Sequence, residues 1–160
     1  MTLPALPDAE VRVTLGVDTH ADVHVAVALD QLGRRLGACT VATTPAGAQQ
    51  LLGWASQFGP IQQVGCEGTS SWGLGLARLL RAQGLVVLEV NRPSRQTRRR
   101  RGKSDPVDAE AAARAVQAGT ATTAAKAADG QVEVIRTLRC VRRSALKART
   151  QAATSCSRCW

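Results

Sequence analysis

The stretch VRVTLGVDTHADVHVAVALD, residues 11–30, decides the fold. Val11, Val13, Leu15 and Val17 alternate with smaller or polar residues until the run meets Asp18. A period of two marks an extended strand with a buried face, and an acid closing an apolar run places a carboxylate at the strand's polar end. Residues 19–22 are short enough for a hairpin turn, after which Val23, Val25, Val27 and Leu29 repeat the alternation up to Asp30. Gln31, Leu32 and Gly33 form a second turn into a third strand over 34–41. Three antiparallel strands are therefore expected to open the chain.

Downstream the period changes. Thr44 and Pro45 are an N-cap and first-turn pair, Leu51, Leu52, Ala55 and Phe58 share one face, and Gly59-Pro60 stops the run, which predicts an amphipathic helix. Residues 61–67 (IQQVGCE) read as a fourth strand that again delivers an acid, Glu67. Residues 70–83 read as a helix capped by Gly84, 85–90 (LVVLEV) as a fifth strand, and 105–118 as an alanine-rich helix with Ser104 as N-cap and Pro106 in its first turn. Strand-strand-strand-helix-strand-helix-strand predicts an α/β fold: a mixed five-stranded sheet with flanking helices, in the order of the ribonuclease H-like fold. The expected organisation is a domain over 9–118, a small polar linker over 119–130, and a long basic amphipathic helix over 131–154 with Val132, Ile135, Leu138 and Val141 on one face.

The 160 residues carry 21 Lys and Arg against 12 Asp and Glu, a formal charge of +9, and the excess is local. Residues 91–103 hold Arg92, Arg95, Arg98, Arg99, Arg100, Arg101 and Lys103 with no acid. A cluster of that density beside an acidic site predicts contact with nucleic-acid phosphates, its ordinary alternative being a solvated charge run. The charge does not distinguish DNA from RNA. No apolar run reaches the roughly 18–20 residues of a membrane span and no signal-peptide pattern opens the chain, so no membrane partner is expected and the location is expected to be the cytoplasm. Five scattered cysteines suit reduced thiols there.

Four acids stand where the predicted elements bring them together: Asp18 and Glu67 end two strands, and Asp105 and Asp108 open a helix on one face. Singly, each has an ordinary role as a turn cap, edge carboxylate or first-turn residue. Jointly, they are the hard oxygen donors that a pair of Mg²⁺ ions about 4 Å apart needs for in-line phosphodiester chemistry. His20 and His24 share no helical face, and Cys156 and Cys159 lack a second pair, so neither is read as a metal site.

Three blocks carry a family resemblance: Gly16-Val17-Asp18-Thr19-His20, Cys66-Glu67-Gly68-Thr69-Ser70-Ser71-Trp72-Gly73, and Lys103-Ser104-Asp105-Pro106-Val107-Asp108-Ala109. In order and spacing the chain resembles transposases of the insertion-sequence-110 family, related to the Piv invertase, whose RuvC-like domain carries a D-E-D-D tetrad. Trp72 stands where an aromatic, often Tyr, is usual. The resemblance implies a catalytic domain for DNA strand cleavage and transfer, with Asp18, Glu67, Asp105 and Asp108 as catalytic, Mg²⁺-binding acids. It also implies DNA as partner, an element-encoded guide RNA, and a homo-oligomer in the full-length form.

At residues 155–160 (SCSRCW) the apolar helical pattern stops. A permissible codon choice, shifted by one base, reads Gln-Leu-Gln-Ser-Leu-Leu and continues the pattern, so a frameshifted tail and an incomplete, inactive fragment are expected. The alternatives are a RuvC-like structure-specific nuclease and a non-catalytic nucleic-acid-binding remnant.

Overall fold

The computed structural model describes residues 10–90, 104–126 and 130–157, and divides the chain into a unit over 1–126 and a second over 127–160. The basic cluster at 91–103 lies outside the described residues.

The first unit is a sheet in the order β3-β2-β1-β4-β5-β6. β1 (Val13–Thr19), β2 (Val23–Leu29) and β3 (Arg35–Ala42) form the expected antiparallel meander. Its second turn is fixed by Asp30, whose carboxylate accepts from the backbone N–H of Leu32 and Arg34 and from Arg34 Nε at 2.6 Å, while Gly33 takes a φ of +77°. β4 (Ile61–Cys66) then pairs parallel with β1, and β5 (Val86–Glu89) parallel with β4. Parallel neighbours require crossovers, which are α1 (Pro45–Ser56) and α2 (Leu74–Ala82). Thr44 Oγ1 caps α1 by accepting from Gly47 N–H. Gly84 ends α2 with a φ of +79°, and the Leu85 N–H returns to the Leu80 carbonyl.

Two expectations change. The sheet has six strands rather than five, because β6 (Thr123–Ala124), within the small polar stretch after Gly119, pairs antiparallel with β5. Two exposed residues carry no readable alternation, so only the pairing reveals them. α2 also starts at Leu74 rather than at residue 70. The Gly68 carbonyl accepts from the N–H groups of Ser71 and Gly73 and from Ser71 Oγ, so residues 68–73 form a turn.

α3 (Asp105–Gln117) covers the face of the sheet opposite α1 and α2. Its N-cap Ser104 makes no side-chain cap; the Ser104 carbonyl instead accepts from the N–H groups of Val107 and Asp108. Gly16 and Gly65 are register partners on β1 and β4, and α3 lies directly on them. A Cβ at Gly65 would stand 2.6 Å from the Ala112 carbonyl oxygen, and one at Gly16 would collide with the Ala109 carbonyl. On the other face Leu15, Val17 and Val64 pack with Leu51, Leu76 and Leu80, all at most 3% exposed.

The second unit is described by α4 (Gln131–Ser157), whose Val132, Ile135, Leu138 and Val141 are 57–75% exposed. No helix among the described residues is long and apolar enough to cross a membrane, and Cys39, Cys66 and Cys140 are free thiols.

Candidate metal centre

Parallel pairing of β1 with β4 puts their C-terminal ends side by side, and that register brings Asp18 and Glu67 to the same edge of the sheet. The Glu67 N–H donates to the Val17 carbonyl at 3.0 Å, and Thr19 Oγ1 donates to the Glu67 carbonyl at 2.8 Å. These bonds lock the two strand ends together. Asp18 and Glu67 are 3% and 4% exposed. Glu89, at the end of β5, takes backbone hydrogen bonds from Gly68 and Thr69, which anchors the turn leaving Glu67.

α3 supplies the remaining two acids from its first turn. Asp105 reaches the strand end through His20, whose Nε2 lies 3.0 Å from Asp18 Oδ2 and 3.7 Å from Asp105 Oδ2. Burial holds the Asp18 carboxyl above its ordinary 3.8. His20 works against that shift, while the charges of Asp108 and Asp105 reinforce it. A buried carboxylate facing two further acids favours a cation to replace the lost hydration.

Of the predicted tetrad, Asp18 and Asp105 belong to a group that can hold a metal, with His20 as third member and all ligand atoms within 4.8 Å of one another. Glu67 is buried at the adjoining strand end, and Asp108 is near enough to act on Asp18; neither is a member of that group. Carboxylate oxygens suit a hard divalent cation, and the imidazole nitrogen extends the donor set toward softer ones. His20, set aside as a metal ligand on the sequence because it shares no helical face with His24, is a member of this group. The signal was present: residues two apart at a strand end project to one side, which puts His20 with Asp18 rather than with His24. The seven basic residues from Arg92 to Lys103 lie outside the described residues.

A family model described as Transposase, that of the insertion-sequence-110 DEDD type, matches residues 15–159. No curated protein matches the chain. Among solved structures, T. thermophilus RuvC in complex with Holliday junction substrate is similar at a TM-score of 0.50 and 16% identity, over 71% of this chain and 98% of that one. At that identity the likeness shows the fold, which is RuvC-like. A ROK family glucokinase from Streptomyces griseus in complex with glucose and AMPPNP aligns over 34% of this chain and 20% of that one, at 28% identity and a TM-score of 0.28, and carries no argument.

Proposed function

The chain belongs to the insertion-sequence-110 family of DEDD transposases, and from that premise we propose that Asp18, Glu67, Asp105 and Asp108 form an Mg²⁺-dependent centre for cleavage and transfer of DNA strands. The observation that carries this reading is the grouping of Asp18, His20 and Asp105 at the paired ends of β1 and β4. Membership in a transposase family favours it over a host junction nuclease of the same fold. Divalent ions bound there would stabilise the attacking and leaving oxygens of an in-line displacement.

The chain's own residues do the positioning. The β1–β4 pairing fixes the two buried acids, the first turn of α3 brings the other two, and His20 orients Asp18 toward Asp105. The arginines from Arg92 to Arg101 and Lys103 would neutralise the flanking phosphates, which predicts binding that weakens steeply with salt. DNA is the proposed substrate, as the junction complex of the RuvC neighbour supports. Two ions, an element-encoded guide RNA, a homo-oligomeric full-length form and a bacterial cytoplasmic location complete the reading on family grounds.

The test is calorimetric titration of Mg²⁺ into the full chain at low salt, with Asp18→Asn/Asp108→Asn as comparison, alongside cleavage of a labelled branched DNA. Saturable binding in the wild type that the double variant loses is the expected result. Equal heats from a folded variant would overturn the assignment of these acids.

A further inference from the structure

His24 is 3% exposed, and its Nδ1 is the one buried side-chain nitrogen or oxygen among the described residues that lacks a hydrogen-bond partner. An imidazole nitrogen left unsatisfied in the interior is costly, so a native orphan asks for a partner. The ring also lines a cavity of about 120 Å³ with Thr43, Thr44, Leu76 and Leu79, and Trp72, 56% exposed, stands at its rim. That is less than the roughly 150 Å³ of an apolar cavity that encloses benzene, so a ring seated here stays partly open on the side of Trp72.

Position links this cavity to the acids. His24 is the register partner of Thr19, the residue after Asp18, and alternation puts it on the α1/α2 face of the sheet, with Ala26 and Ala28. Trp72 lies in the turn that follows Glu67, and that turn packs on Thr19: a Cβ at Gly68 would be 3.0 Å from Thr19 Oγ1, and one at Gly73 would be 3.0 Å from Thr19 Cγ2. The cavity and the acids therefore share one end of the sheet on opposite faces.

We propose that the cavity between His24 and Trp72 seats one unpaired nucleobase of the strand held at the acidic centre. A base has a flat face for the indole and a polar edge for the imidazole, whereas an aliphatic side chain would fill the space and leave Nδ1 unpaired. Burial, with repulsion from His20, lowers the His24 pKa against a backbone hydrogen bond at Val23, and Nδ1 is the ring nitrogen left for the base. This site rests on the nucleic-acid reading above and adds a base contact to a surface otherwise suited to phosphates.

The test compares two probes of equal charge on the full chain: an eight-nucleotide thymidine strand and the same length of abasic tetrahydrofuran phosphates. One stacked base is worth roughly 5-fold to 150-fold in affinity, so the wild type is expected to prefer the thymidine strand by that margin. Trp72→Ala should bring the ratio near one, and Trp72→Phe should restore most of it. Gly75→Leu plugs the cavity from an open position, since a Cβ there meets nothing within 4 Å, and should also erase the preference. Trp72 and Gly75 are exposed, and circular dichroism checks that both variants fold. A preference that survives Gly75→Leu overturns the seat in favour of stacking on the outer indole. Equal binding of both strands by the wild type overturns it in favour of a protein occupant. Binding of neither strand overturns the nucleic-acid reading together with the seat.

Discussion

The two faces of the sheet are built on opposite principles. On one, Gly16 and Gly65 meet Ala109, Ala112 and Ala113, and α3 comes so close that no Cβ fits between helix and strands. On the other, Leu15, Val17 and Val64 meet Leu51, Leu76 and Leu80 in a thicker layer that leaves a cavity at its edge. The thick face supplies apolar burial, worth about 25 cal/mol per Å². The thin face buries little per residue but fixes the distance from the first turn of α3 to the end of β1. The thick face thus supplies most of the burial and the thin face the site geometry, so burial on the thick face can be reduced without moving the site.

The largest effect should come from the thin face. Gly16→Val forces a branched side chain into the Ala109 carbonyl and the Ala113 backbone, neither of which can yield without moving α3. We expect a loss above about 4 kcal/mol in urea unfolding, at the scale of severe overpacking, and no Mg²⁺ binding in whatever folded fraction remains. A variant that folds normally and still binds would break the distinction between the faces.

On the thick face, Leu15→Ala should cost about 2–5 kcal/mol through lost burial and a new cavity. Because Leu15 points away from α3, Mg²⁺ affinity at a temperature where the variant is folded should stay within about twofold of wild type. A large affinity loss would mean that the two faces are coupled.

The smallest effect concerns charge at the edge. Since the folded state raises the Asp18 pKa above 3.8, its ionisation opposes folding. The contribution of Asp18 is most favourable below its unfolded value and is lost as pH rises through the folded one. Metal-free Asp18→Asn should therefore melt a few degrees higher than wild type at pH 7, and the gap should close toward pH 3.5. Thermal melts in chelator across that range check it; a variant that melts lower at pH 7 would contradict the origin of the shift.

Legibility in the sequence followed the length of each pattern. β1, β2 and α1 were readable because alternation in 11–30 and the Thr44-Pro45 start are long or chemically specific signals. β6 is not, being two exposed residues, and the start of α2 is ambiguous because Ser70 and Ser71 suit a helix start as well as the turn that Gly68 imposes. Gly16 and Gly65 carry a signal of their own, because glycine inside a strand marks a backbone approaching closely. Among the candidate site residues, the four acids are read from their places at element ends, whereas the approach of His20 to Asp18 and Asp105 needs the hairpin after β1.

By itself the sequence determined the strand and helix periods, the acids at the element ends and the family, since each is written in the order of neighbouring residues. Only the tertiary structure decided that Gly16 and Gly65 lie side by side under α3, that His20 rather than His24 joins the acids, and that His24 and Trp72 line one cavity. Those relations depend on pairing register and on which face of the sheet each helix covers, and both are settled by contacts between residues tens of positions apart, which no local period encodes.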